Sequence, residues 1–211
     1  RIIRRALDEE HGDVLVFLPG AGEIRRVQTL LESGDLPASV RVIPLYGDLS
    51  GAEQDAALAP APPGTRKVVL ATNIAETSLT IEGVRVVVDS GLVRRSVFDP
   101  STGMSRLETQ RISRASADQR QGRAGRVEPG VCYRAWSEAA HRSLAPHTPP
   151  EIVDADLAPL ALELASWGAR DALDLRWLDP PPAAMLASAR DLLARLGATD
   201  SNGRIPPHGR E

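Results

Sequence analysis

The sequence predicts an α/β fold: a parallel sheet covered by helices, with an inserted β-hairpin and a small, mostly helical second domain. Three observations carry that expectation. Four short, β-branched runs are separated by helix-length stretches, the pattern of βαβ units whose strands are buried on both faces. Residues 94–113 break that rhythm with two runs around a turn. After His147 the texture changes to proline-punctuated amphipathic helices.

The first run, DVLVFLP at 13–19, is continuously apolar after Asp13 and too short for a helix, so it reads as a buried strand. EIRRVQTLLES follows as an amphipathic helix ended by Gly34. VRVIPL (40–45), RKVVLAT (66–72) and VRVVVDS (84–90) are the other strand candidates. In parallel sheets ligands gather at the carboxyl ends of strands. Those ends read LPGAG, ATNIAETS and VDSGL, all polar and rich in glycine, serine or threonine. In 94–113, SVFD and MSRLETQRI flank the turn Asp99 to Gly103, which predicts a hairpin with a longer loop, whether functional or only extending the sheet. TPPEI opens a linker, and DLAPLALELASWG follows as a helix with Leu157, Leu160, Leu164 and Trp167 on one face. WLDPPP turns the chain into a second helix, AMLASARDLLARLG, and TDSNGRIPP reads as a short hairpin arm. The expected domains are therefore 1–146 and a winged-helix-like 147–211.

Composition narrows the classes. The chain has 211 residues, 42% hydrophobic and 25% charged, an ordinary soluble balance. No apolar run approaches the roughly 20 residues that span a bilayer, so no membrane partner is expected. The opening at Arg1 reads as a piece of a longer protein. The single cysteine, Cys132, excludes an internal disulfide and fits a reducing, cytoplasmic compartment. That cysteine and the four histidines show no metal-ligand spacing. Net charge is −3, without the overall basic signature of a nucleic-acid binder. Its distribution is uneven: from Arg94 to Arg142 there are ten arginines against five acidic residues. Arginines among glycines suit phosphate contacts better than a merely solvated face.

The densest part of that run is QRQGRAGR, Gln119 to Arg126. Ser116 with Gln119 three residues later forms a capping-box pattern, which predicts a helix from Ser116. Each glycine inside a helix costs about 1 kcal/mol relative to alanine, and this segment holds Gly122 and Gly125. On such a helix Gln119, Arg123 and Arg126 share one face, at i, i+4 and i+7. The glycines leave the backbone beside them bare for a bulky polyanion or a neighbouring domain. Guanidinium forks match a triphosphate.

QRQGRAGR closely resembles motif VI of superfamily 2 helicases, in the form of the DEAH/RHA group. VFLPGAGEI (16–24) is similar to motif IV, and ATNIAETSLTI (71–81) with VVDSGL (87–92) to motif V. The order of these motifs, the hairpin between V and VI, PLYGDLSGAEQ, the APAPPG turn and the linker into a winged helix all match that group. The resemblance covers nearly the whole chain and lies nearest the bacterial HrpB type. It implies the second RecA-like domain and winged helix of an ATP-dependent helicase. Arg123 and Arg126 would be arginine fingers reaching the γ-phosphate across a cleft between two RecA-like domains. Gln119 would position that phosphate or the attacking water. Thr72, Asn73 and Thr77 would contact the backbone of single-stranded RNA or DNA, unless they serve only turn chemistry. Glu82 and Asp89 would hydrogen-bond the ribose or tie motif V to motif VI. Gly20 and Gly22 would let the backbone approach a phosphate, or would simply begin a helix.

One departure stands out. Leu58 occupies a place where many DEAH proteins carry an aromatic that stacks on the nucleotide base, and a leucine offers apolar contact but no stacking. The sequence also lacks a G-x-x-x-x-G-K-[ST] loop and a DExH box. The resemblance therefore implies half of a composite site, with ATP and Mg²⁺ held mainly by the first RecA-like domain of the intact chain, and no hydrolysis by this segment alone. A different class also fits the residues: a non-catalytic nucleic-acid-binding or scaffold module that keeps the fold without turnover.

Overall fold

The computed structural model describes residues 1–77, 80–125, 129–169, 172–200 and 202–207. In chain order its elements are α1 (Ile2–Glu9), β1 (Asp13–Phe17), α2 (Ala21–Glu32), β2 (Val40–Leu45), α3 (Gly51–Leu58), β3 (Arg66–Ala71) and β4 (Val84–Asp89). The hairpin strands β5 (Leu92–Asp99) and β6 (Met104–Arg111) follow, then α4 (Arg114–Gln121), β7 (Val131–Arg134) and α5 (Glu138–Arg142). The last two helices are α6 (Ala158–Trp167) and α7 (Ala183–Arg195). The chain divides into two compact units, one made of 1–95 with 109–148 and the other of 96–108 with 149–211.

The first unit is built on a five-stranded sheet in the order β2-β3-β1-β4-β7, with every pairing parallel. The α/β class and the four anticipated strands are present. The fifth strand, β7, escapes a sequence reading because VCYR is four residues long and only half-buried at the sheet edge. The register sets Val14 beside Val68 on one side and Val86 on the other. Successive side chains then point to opposite faces. Val14, Val16, Val68, Leu70, Val86 and Val88 join Ile24 and Leu31 of α2 and Ala6 of α1 in one core. Leu15, Phe17, Val69, Ala71 and Val87 join Ala57 of α3 in the other. Complete burial of β1 and near-complete burial of β3 explain the unbroken apolar runs at 14–17 and 68–71.

Polar residues are buried here too, Lys67, Asp13 and Asp89 among them. Lys67 is 1% exposed, and its Nζ donates to the carbonyls of Ala57 (3.1 Å) and Ala59 (2.5 Å). It thereby satisfies acceptors that the C-terminus of α3 leaves open. Burial pulls this ammonium below its ordinary value, while Asp13 and Glu82 pull it back up. Asp13 in turn accepts the backbone N–H of Lys67 at 2.8 Å.

In the second unit α6 and α7 bury Leu157, Ala161, Leu164, Leu186, Ala189 and Leu193 against one another. Trp167, expected on that buried face, is 72% exposed. The face runs through Leu157, Ala161 and Leu164, and Trp167 falls past it in the last turn. Where the sequence predicts a hairpin arm, the described residues form a tight turn without strands, closed by Asp200 N–H donating to Arg204 O at 2.8 Å. The hairpin tip belongs to this unit. Asp99 Oδ1 accepts from Ser101 N–H (2.9 Å) and Oγ (2.6 Å), and Phe98 N–H donates to Asp154 O at 2.9 Å. Met104 and Leu107 are exposed on β6.

Candidate functional site

Strand order locates the site. From β1 the chain moves to one side for β2 and β3, then crosses to the other side of β1 for β4 and β7. Connections that leave in opposite directions open a crevice at the carboxyl ends of such strands. The loops after β1, β3 and β4 meet there.

After β1, Gly20 caps α2 in an extended conformation. A Cβ there would come within 2.9 Å of Arg94 Nη1, and Arg94 Nη2 ion-pairs with Glu23 Oε1 at 3.3 Å. Gly22 is exposed in the first turn of α2, with nothing within 4 Å of where its Cβ would stand. This helix start presents open backbone N–H groups and the positive end of the helix dipole. After β3, Thr72 N–H donates to Leu45 O at 3.2 Å and begins a 3₁₀ turn, Asn73–Ala75. Ala75 is fully buried and anchors the turn, leaving Asn73 and Thr77 exposed.

The helix that carries QRQGRAGR differs from expectation. It begins three residues earlier, with Ser113 as its N-cap accepting from Ser116 N–H, and it ends at Gln121. Gly122 is the C-cap, and Gly125 has φ of +72°, a left-handed backbone that favours glycine. The two glycines therefore end the helix rather than lie within it, and their helix-interior cost does not arise. Between them Arg123 N–H and Ala124 N–H close shorter turns on Arg120 O and Gln121 O. Gln119 is exposed on α4, Arg123 lies half-buried in the turn beyond it, and Arg126 is outside the described residues.

A different stripe faces inward. Ser116, Arg120 and Arg123 all reach the loop after β3, and all three reach Glu76. Ser116 Oγ donates to Glu76 Oε1 at 2.6 Å, and Arg120 Nε donates to Glu76 Oε2 at 2.9 Å. Arg123 Nη2 donates to the main-chain oxygens of Glu76 and Thr77. Arg120, 1% exposed, also donates through Nη1 to Asp89 Oδ1 (2.9 Å) and Leu92 O (3.2 Å), with its guanidinium 4.8 Å from the centre of the Phe17 ring. Burial pushes the Asp89 carboxyl above its ordinary value, and Arg120 pulls against that shift.

Asp89 is therefore fully enclosed at the carboxyl end of β4, where Gly91 N–H also donates to its Oδ1 at 2.9 Å. Glu82 is exposed in the turn before β4. The strand between them separates the two by roughly 20 Å at ~3.3 Å per residue, so they do not share one ribose. Leu58 is half-buried at the end of α3 and packs against the second core. Beside this crevice Trp136 lies over Gly91, whose Cβ would come within 2.7 Å of the ring.

Sequence reasoning missed Ser116, Glu76 and Arg120 as a unit. The available signal was the spacing of 116, 120 and 123 at i, i+4 and i+7, with an acid just after the Thr-Asn turn. The glycines drew the reading to the outer stripe instead.

Comparison with known proteins gives concordant results. Residues 1–128 match the family described as helicase conserved C-terminal domain. The chain is 49% identical over 205 residues to the ATP-dependent RNA helicase HrpB of Escherichia coli, a match that covers 97% of this chain and 25% of that protein. It is 44% identical over 211 residues to the pre-mRNA-splicing factor ATP-dependent RNA helicase prp22 of Schizosaccharomyces pombe, over 97% of this chain and 18% of that one. The crystal structure of the Escherichia coli DEAH/RHA helicase HrpB aligns with a TM-score of 0.94 at 48% identity, covering 99% of this chain and 26% of that chain. The chain thus spans about a quarter or less of the length of these relatives.

Proposed function

Since the chain belongs to the helicase conserved C-terminal domain family, as the C-terminal domain of a DEAH helicase, we propose that it serves as the second motor domain of an ATP-dependent RNA helicase. The observation that carries this reading is the junction of two loops: Arg123, from the arginine-rich segment, donates to the main chain of Glu76 and Thr77. A phosphate-seeking cation and a nucleic-acid-facing turn are thereby tied together.

In this reading Arg123 and Arg126 approach the γ-phosphate of ATP bound mainly by the first RecA-like domain of the intact protein. As the water oxygen bonds to phosphorus and the bond to ADP breaks, negative charge develops that guanidinium groups stabilise. Gln119, exposed on α4, orients the phosphate or the water. Among the described residues no group of three or more His, Cys, Asp or Glu side chains is arranged to hold a metal ion. In this reading Mg²⁺ would be held by the first RecA-like domain of the intact protein. Asp89 positions α4 through Arg120, while Glu82, at the amino end of β4, stands apart from this crevice and is not assigned the ribose. Leu58 offers the base an apolar edge without stacking.

Thr72, Asn73 and Thr77, with the open helix start at Gly20 and Gly22, grip the backbone of single-stranded RNA, and contacts of that kind position a strand without reading its sequence. The hairpin β5–β6 separates the duplex or blocks back-slip. The test is ATP hydrolysis and strand displacement by the intact protein on duplexes with RNA or DNA single-stranded tails at either end. RNA-stimulated hydrolysis with displacement is expected. Absence of hydrolysis would sink the motor reading and favour a scaffold.

A further inference from the structure

Three side chains, two from α4 and one from the turn that follows it, converge on Glu76, which makes this residue more than a member of the turn. Its carboxylate is 14% exposed and takes one donor on each oxygen, Ser116 Oγ and Arg120 Nε. Its main-chain oxygen takes a third, from Arg123. Ala75 beside it is fully buried and seats the base of the loop in the core. Arg120 is equally fixed, enclosed between Asp89, Leu92 O and the Phe17 ring. Among the described residues of this cluster, Asn73 and Thr77 are exposed and Arg123 is half-buried.

We infer that Glu76 is a positioning residue: through its side-chain clamp on α4 it sets where Arg123 stands relative to the Thr72–Thr77 turn. A strand that displaces the turn thereby moves the arginine, and an arginine drawn to a phosphate pulls on the turn. This rests on the motor reading above. The physical basis is that a carboxylate with both oxygens engaged by a buried guanidinium and a hydroxyl has little freedom to re-seat. Glu76 touches neither ATP nor RNA in this account, so its effect appears in the coupling between them. Energetic coupling through such a network needs a direct measurement rather than proximity alone.

The experiment uses the intact protein with poly(U) RNA and ATP–Mg²⁺, comparing wild type, Glu76→Gln, Ser116→Ala and the double variant. Glu76→Gln keeps the volume but offers Arg120 a neutral partner. Its RNA-stimulated kcat is expected to fall about tenfold, while the KM for ATP and the RNA Kd stay within about twofold. Ser116→Ala removes one hydrogen bond and leaves no charge unpaired, so it folds even if the glutamine variant does not. Its stimulated kcat is expected to fall about threefold. Because both act on one carboxylate, the double variant should be no worse than Glu76→Gln alone. A stimulated kcat within twofold of wild type in both single variants overturns the inference, as does additive loss in the double variant. A raised KM with kcat unchanged also overturns it, by making Glu76 part of the binding site. Wild type that RNA fails to stimulate overturns the motor reading itself, and this inference with it.

Discussion

Arg120 Nη1 lies 2.9 Å from Asp89 Oδ1, with the arginine 1% exposed and the aspartate fully buried. The same guanidinium also ion-pairs with Glu76, whose side chain is 14% exposed, so one cation is shared between two acids. Removing one member of such a group leaves the others uncompensated, which typically costs about 3–5 kcal/mol. Arg120→Met should therefore lower the urea midpoint by an amount equivalent to several kcal/mol. Arg120→Lys should recover little, because an ammonium cannot reproduce the fork that meets Glu76, Asp89 and Leu92 O. A loss below about 1 kcal/mol for the methionine variant would mean that the two acids find water or protons at little cost.

Arg126→Ala in the intact protein is expected to remove most RNA-stimulated turnover while leaving ATP binding largely intact. Arginine fingers contribute roughly 10³–10⁵ in rate where measured. Steady-state hydrolysis with parallel nucleotide-binding measurements checks this. A fall of less than about tenfold would count against a finger of that size.

The hairpin tip can be separated from the ATP chemistry. Deleting Pro100 to Met104 removes the turn that Asp99 and Ser101 organise, together with exposed Met104. Strand displacement should drop while RNA-stimulated hydrolysis persists. Full displacement by the shortened protein would make the hairpin merely structural.

Cys132 offers a probe of β7. Burial pushes its thiol from 9.0 up to about 11, so at pH 8 its thiolate fraction is depressed about a hundredfold. The unfolded chain lacks this shift, and raising the pH toward 11 should erase much of the difference. Iodoacetamide labelling at pH 8 should therefore run about a hundred times slower in the native protein than in urea. Equal rates would show that the edge strand opens readily.

Residues 1–211 alone should fold yet bind ATP–Mg²⁺ more weakly than micromolar. Two cores sandwich the sheet, which supports independent folding. The phosphate loop and metal ligands that dominate triphosphate binding in this fold type are missing from the sequence. Exposed guanidinium groups meet a fully hydrated nucleotide weakly. Calorimetry showing micromolar affinity, or turnover above background, would reveal a complete site in this segment.

β1 and β3 were legible because burial on both faces leaves long apolar runs, as in Val14 to Phe17, whereas β2 and β4 were legible through their β-branched residues despite Arg41 and Arg85. β7 was not, since an edge strand of four half-buried residues needs no such pattern. α1 was missed for a related reason: it buries only Ala6 completely among charged residues. In the site, the glycines of QRQGRAGR signalled an unusual backbone, but their positions admitted a helix interior as readily as a helix end. Only the left-handed conformation at Gly125 and the cap at Gly122 decide between the two. Asp89 shows the limit most plainly. Its place after an apolar strand announces a polar group at a carboxyl end, and a ligand contact and a buried ion pair are spelled identically there.

The second unit is assembled from two separate stretches, 96–108 and 149–211, so the chain passes between units three times, after Arg95, Glu108 and Thr148. No single cut in the gene can excise it cleanly. Truncation after Thr148 strands the hairpin tip and removes Asp154, the acceptor for Phe98. Exchange of this unit between related proteins would have to move both stretches together, which makes it a poor cassette for recombination and favours its inheritance with the sheet that interrupts it.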